Sequence, residues 1–266
     1  DKVLGLSEID GRLLVVAGTA RWWIDSAMEL ARADLARGWW VSAAPLPDST
    51  WVVVDNDLRT WLIERDGERR LLIDSQRGAD RLVRLPDGTV LAPGEQGIWQ
   101  AWPEPAQQVP YAGHHVGVAV SRPGTDSGLL TLGSEGLHRW TPSGFEHVDP
   151  APPACGVGFG AIASGESTVA VCAEATFVGR GGDWRRVPLD ERPRALAQDR
   201  GEVWGSGLGE LLRLDPSPRR FGVGHGLPEG PNRFDSLALF GGWLVQGRTE
   251  DVLFVDRARL VRERRT

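Results

Sequence analysis

His114 and His115 adjoin one another with Tyr111 close by, and His225 stands directly before Gly226-Leu227-Pro228. Histidine serves general acid–base chemistry and metal ligation alike. Neighbouring residues on a strand point to opposite faces, so His114 and His115 are poorly placed to share one metal ion. The chain has neither a His-Glu-x-x-His segment nor a metal-binding cysteine motif, and no metal site or cofactor is expected. Cys155 and Cys172 are the only cysteines. They fit a disulfide closing a modest loop, and equally two reduced cysteines packed as small hydrophobes. A nucleophilic role lacks partners in the arrangement that a catalytic triad requires. The run GVGFG at Gly156–Gly160 looks like a phosphate loop, but it leads into a strand and not into a helix N-terminus. Asp55, Asn56 and Asp57 form an acidic turn, for which solvation is the expected state and calcium would need further oxygen ligands. The 12 tryptophans include Trp39 and Trp40, side by side and the best candidates for exposed sugar-stacking rings.

The elements that position these groups are read from a repeat. Residues Arg194 to Pro231 contain four short apolar runs separated by turn residues, which is the signature of one antiparallel meander. Its second run, EVWGSG, has counterparts throughout the chain. LLVVAG ends at Gly18, WVVVDN at Asn56, TVLAPG at Gly94, LLTLG at Gly133, VAVCA at Ala173 and WLVQG at Gly247, with EVWGSG ending at Gly207. A period of about 40 residues with four strands is the size of a propeller blade. The expected fold is therefore all-β, a seven-bladed β-propeller of four-stranded antiparallel blades. Five of the seven anchors are glycine and one is asparagine, which suits positive φ. Trp23, Trp61 and Trp99 each lie five positions past an anchor, and one shared packing role between neighbouring sheets is expected of them.

Residues 1–266 are read as a single domain, with blades at about 3–34, 41–74, 81–109, 115–148, 158–188, 194–223 and 234–262. Two segments strain this frame. SAMELARADLARG has Ser26 and Glu29 in capping-box spacing and Gly38 as a stop, a helical signal; the repeat instead asks for an outer strand near Met28–Ala33, which is the reading adopted. The last blade is expected to own four strands, DSLALF, WLVQG, DVLFVD and ARLVRE, so that the ring closes by packing against blade one.

Composition narrows the function classes. The 30 basic against 36 acidic residues give a net charge of −6, which disfavours general binding to a nucleic-acid backbone. No apolar run approaches the roughly 18 residues of a membrane helix, and no membrane insertion is expected. The chain opens on Asp1 with neither a methionine nor a signal-like segment, as a processed or trimmed polypeptide would. A disulfide would favour an extracytoplasmic location.

In a propeller the positions just before each first strand converge on the mouth of the central channel. Here they fall near Leu4, Ser42, Arg81, His115, Phe159, Arg194 and Arg233. With Trp40 beside them, Arg81, His115, Phe159, Arg194 and Arg233 suit an anionic or planar ligand, although ion pairs with Asp80, Glu191 or Asp235 would satisfy the arginines equally well.

The segments LGSEGLHRWTPSGFEHVD, DRGEVWGSGLGELLRLDPSPRRF and GHGLPEGPNRFDSLALFGGWLVQG resemble the WD-like propeller repeats in the sensor regions of bacterial two-component regulators. Those repeats carry a Gly-x-Trp strand, a Gly-Leu-x-Arg strand, an aromatic and a Gly-Leu-Pro connection, matched here once, at Gly226-Leu227-Pro228. The resemblance implies a bacterial sensor or ligand-binding domain. The expected function is a non-catalytic module presenting top-face loops to a protein, peptide or carbohydrate. The alternative is a lyase or hydrolase with its site at the channel mouth, using His115 or His225.

Overall fold

The computed structural model describes residues 3–35, 37–74, 81–85, 87–94, 97–109, 115–119, 129–133, 136–141, 143–153, 155, 158–164, 167–189, 191–199, 201–207, 209–228, 236–247 and 251–262. Seven antiparallel sheets follow one another along the chain, each pairing its strands in sequence order. Blade one is β1 (Val3–Ile9), β2 (Arg12–Ala17), β3 (Ala20–Ile24) and β4 (Leu30–Arg32). Blade two is β5 (Trp40–Pro45), β6 (Trp51–Asp55), β7 (Thr60–Ile63) and β8 (Arg69–Ile73). Blade three is β9 (Val83–Arg84), β10 (Val90–Gly94), β11 (Gly97–Trp102) and β12 (Gln107–Gln108). Blade four is β13 (His115–Ala119), β14 (Leu130–Gly133), β15 (Gly136–Thr141) and β16 (Gly144–Asp149). Blade five is β17 (Gly158–Ser164), β18 (Ser167–Cys172), β19 (Thr176–Arg180) and β20 (Asp183–Val187). Blade six is β21 (Ala195–Asp199), β22 (Glu202–Ser206), β23 (Leu211–Asp215) and β24 (Arg219–Phe221). Blade seven has β25 (Leu237–Phe240), β26 (Trp243–Gly247) and β27 (Val252–Asp256), followed by a short helix, α1 (Arg257–Arg262). The architecture is a seven-bladed β-propeller.

The core is a set of wedges between blades. Leu14, Trp23 and Trp40 meet Val53 and Ile63 between blades one and two, and Val52, Leu62 and Ile73 meet Val90 and Ala92 between two and three. Comparable clusters fill the next four seams. The last joins Leu13, Val15 and Ile24 of blade one to Ala238, Phe240 and Val245 of blade seven, which closes the ring. Both faces of every sheet are thus apolar, and the second strands, buried on both sides, read as continuous runs such as LLVVA and WVVV.

Tight turns set the register. Asp25 and Asp55 open matching five-residue turns between strands, the first residue's N–H donating to the carbonyl of the fifth. In each, the aspartate Oδ1 accepts the N–H of the third and fifth residues. The fourth residue takes positive φ, at 65° for Met28 and 62° for Leu58. This turn resolves the conflict in SAMELARADLARG: the Asp25 carboxylate holds the amides of Ala27 and Glu29 in a turn and Met28 breaks the helical path, so β4 forms. In the acidic turn of blade two, Asp55 is fully used by the protein, because its Oδ2 also accepts the Trp61 indole N–H at 2.8 Å.

Three expectations are corrected. ARLVRE does not open as a fourth strand: Asp256 Oδ1 accepts the N–H groups of Ala258 and Arg259, capping α1, and Leu260 is buried in the seam of blades six and seven. Trp23, Trp61 and Trp99 all fill gaps between neighbouring sheets, as expected, but not from one shared register and flank. The turns between second and third strands differ in length, so Trp23 pairs with Leu14, Trp61 with Val53 and Trp99 with Ala92. Trp23 and Trp61 enter the same seam from opposite blades, while Trp99 fills the next. The anchors are not uniformly left-handed either: Gly18 has φ 53°, whereas Gly207 does not take positive φ.

Candidate functional site: the top-face mouth

The first strands of successive blades touch around the axis, β13 against β17, β17 against β21, β21 against β25 and β25 against β1, with β1 against β5. The crossings between blades and the turns between second and third strands lie on one face, and the first strands begin there. In four blades the first strand is irregular at this end. The register skips one residue between Val3 and Gly5, Trp40 and Ser42, His115 and Gly117, and Gly158 and Gly160. Each skip is a β-bulge, and Leu4, Val41, Val116 and Phe159 are the extra residues. Bulges bend a strand, sharpen its twist and re-aim the adjacent side chains.

The residue after each bulge is small, and two contacts show why. A Cβ on Gly5 would stand 3.3 Å from the Val41 carbonyl oxygen, so blades one and two meet backbone to backbone at their bulges. One seam on, the Ser42 hydroxyl accepts the Leu82 N–H at 3.0 Å, tying blade two to the strand entry of blade three. That hydrogen bond fixes the residue before it, exposed Arg81. In blade six the entry is regular. Arg194 donates its N–H to the Ser206 carbonyl at 2.8 Å, the Ala195 N–H reaches the Ser206 hydroxyl at 3.2 Å, and the Arg194 side chain is exposed. His115 directly precedes the bulge of blade four, and Phe159 is itself the bulged residue of blade five. The sequence-derived positions 81, 115, 159 and 194 thus all stand at first-strand entries. Arg233, His114 and Tyr111 lie outside the described residues.

Trp40 does not belong to this set. It is only 2% exposed, because its indole fills the wedge between blades one and two. Its neighbour Trp39 is the exposed one, at 49%. Sequence reasoning also missed the arginines around Trp40, with the Arg21 and Arg69 guanidinium carbons 6.0 and 5.1 Å from its ring centroid. Arg21 is buried at 3% exposure, and its amino groups donate to the carbonyls of Thr19 (3.0 Å) and Gly38 (2.5 Å). Burial, then the charges of Arg32 and Arg69, lower its pKa to about 10. The overlooked signal is that arginine sits on an inward-facing position of a strand otherwise read as apolar.

His225 is held in a 3₁₀ turn (Val223–His225) on the crossing between blades six and seven. Its Nδ1 accepts the Gly222 N–H at 3.3 Å and its ring meets Phe221 edge-on at 5.4 Å. Cys155 and Cys172 form a disulfide, with Cα atoms 5.1 Å apart. It joins the crossing from blade four to the end of β18, within the wedge shared by blades four and five. Among the described residues no three histidine, cysteine or carboxylate side chains are grouped to hold a metal ion, and no helix is long and apolar enough to cross a membrane.

No protein-family model matches the chain, and no curated relative does. Solved structures do. The virginiamycin B lyase from Staphylococcus aureus aligns with a TM-score of 0.67 at 12% identity, over 93% of this chain and 92% of the lyase. The WD40 β-propeller domain of Doa1 aligns at 0.65 and 12% identity, over 97% of this chain and 94% of that domain. PorZ, a surface component of the type-IX secretion system of Porphyromonas gingivalis, aligns at 0.63 and 12% identity over 97% of this chain and 37% of PorZ. At such identities the likeness establishes the propeller fold and nothing finer.

Proposed function

We propose that this propeller is a non-catalytic binding scaffold whose top-face mouth receives an anionic group of a protein, peptide or carbohydrate partner. The observation that supports it most is the set of strand entries that carries Arg81, His115, Phe159 and Arg194 around one rim. Arg233, outside the described residues, is the remaining candidate that the sequence offers for this rim. Guanidinium groups bind carboxylates in bidentate fashion, and an aromatic ring beside them accepts a planar or apolar substituent. The net charge of −6 argues against a nucleic-acid track. The likeness of blades four, six and seven to two-component sensor repeats supports a sensory role, and the disulfide supports an extracytoplasmic one.

The test is titration of the purified chain with a panel of carboxylate-bearing peptides and acidic oligosaccharides, repeated with the Arg194→Ala/Arg233→Ala double variant. Each lost charge-assisted hydrogen bond is worth about 1.5–3 kcal/mol, so affinity is expected to fall by more than about tenfold. Unchanged binding by the double variant refutes the mouth as the site.

One observation favours a second reading. His115 stands at the rim, where an acid or base would meet a ligand. Under that reading the chain is a lyase or hydrolase and His115 is its proton-transfer group; His225 is the weaker candidate, its Nδ1 being engaged within its own turn. Turnover of any bound panel member, abolished by His115→Ala, would establish it over the scaffold.

A further inference from the structure

The apolar surface of this protein is unevenly distributed. Of the eight large hydrophobic side chains exposed among the described residues, Trp22, Met28, Leu30, Trp39, Leu58 and Leu71 belong to blades one and two or to the crossing between them. Two lie close to one seam in the chain: Trp39 directly precedes Trp40, which fills that seam, and Leu71, 46% exposed, pairs with Trp61 on the flank of β8 that faces blade one.

Arginines without an ion-pair partner among the described residues lie beside them. Arg69 lies two residues before Leu71 on the same flank, where its guanidinium covers Trp40 and donates to the Arg37 carbonyl at 2.5 Å. Arg70, next in sequence but on the opposite flank, is neutralised by Glu104 and Glu64. No ion pair joins Arg21, Arg32, Arg37 or Arg69 to a carboxylate among the described residues. Arg21 lies buried behind them with its Nε unpartnered, and the charges that bear on it, Arg32 and Arg69, are both positive. A buried cation whose neighbours are also cations leaves a field that an incoming anion would relieve. Exposed tryptophan and arginine together are also the composition of interface anchors.

We propose that the seam between blades one and two is a second docking surface, which takes an acidic peptide segment of a partner protein. An apolar side chain of that segment would lie between Trp39 and Leu71, and its carboxylates would meet Arg69 and Arg37. The proposal rests on the binding-scaffold reading but uses other residues, those of the seam between blades one and two and not Arg81, His115, Phe159 and Arg194. Charge complementarity selects the occupant: guanidinium groups with no ion pair among the described residues favour an acidic segment, and a basic one would be repelled.

The probe is a fluorescein-labelled peptide in which glutamates flank one leucine, with a lysine-for-glutamate counterpart as control, followed by anisotropy on the full chain. The acidic peptide is expected to bind, and the lysine peptide and citrate are not. Arg69→Glu and Trp39→Ala are each expected to weaken binding by at least about tenfold. Arg70→Ala on the other flank is expected to leave it unchanged. Should Arg69→Glu fail to fold, Trp39→Ala, a change at an exposed side chain, decides the matter. Equal binding of both peptides, binding of citrate as tight as that of the peptide, or full affinity in Trp39→Ala overturns the proposal. Loss with Arg194→Ala would instead assign the peptide to the mouth and overturn this surface alone.

Discussion

Removing the Cys155–Cys172 cross-link tests how the seam between blades four and five is held. The bond spans 17 positions in sequence. A loop of that size restricts the unfolded chain by about 2.1 + 1.5R ln 17, or roughly 10 cal/mol/K, which is about 3 kcal/mol at 25 °C. Both sulfurs lie in an apolar wedge with Leu132, Leu137 and Phe177, so the Cys155→Ala/Cys172→Ala pair exchanges like for like in polarity and chiefly restores that entropy. With a melting entropy of about 2.1 cal/mol/K per residue, the corresponding loss in a chain of this length is about 6 °C in Tm. The assay is thermal and guanidinium unfolding of the oxidised chain, the reduced chain and the double-alanine variant. Thiol titration should find no free thiol in the first and two in the second. Identical melting of the oxidised and reduced chains, with two thiols counted after reduction, would refute the account.

Three further substitutions probe the turns. Asp55→Ala removes the acceptor of two backbone amides and of the Trp61 indole, and a loss of about 2–3 kcal/mol is expected in urea unfolding, accompanied by a changed Trp61 environment in fluorescence; a loss below about 0.5 kcal/mol would contradict it. Gly136 has φ 138° and stands against the Asp149 carbonyl oxygen, with His147 Nε2 2.8 Å from the site of a Cβ. Gly136→Ala is therefore expected to cost more than about 2 kcal/mol, whereas Gly201→Ala, with open space around it, should cost only the strain of its φ of 78°; equal losses would dismiss the crowding argument.

The fold was legible because one local event recurs. Gly18, Asn56, Gly94, Gly133, Ala173, Gly207 and Gly247 all stand at or immediately after the end of a second strand. These strands are buried on both faces, and that is where a sequence carries its strongest unbroken apolar signal. Where a side chain's environment depends on the neighbouring blade, local pattern failed. Nothing in WVS announces that Trp40 turns into a seam while Trp39 faces solvent, since both rings are equally apolar and the outcome is set by a half-turn of the strand entry. Asp256 is a good helix cap and was misread only because the repeat demanded a fourth strand. The bulges did leave a trace, an apolar residue followed by a small one in Leu4-Gly5, Val41-Ser42, Val116-Gly117 and Phe159-Gly160, but its meaning depends on how closely the next blade approaches.

Among the described residues, each apolar cluster in the ring belongs to two blades, and no blade holds one of its own. A single excised blade would therefore lose both of the clusters that cover its faces, and would have nothing to fold around. The seam of blades seven and one, which no crossing between consecutive blades spans, is filled in the same manner as the six that the chain crosses. Continuity of the backbone and continuity of the packing are thus independent here: permuting the termini to another seam conserves all seven clusters, whereas inserting or deleting one blade must re-cut every wedge to a new angle.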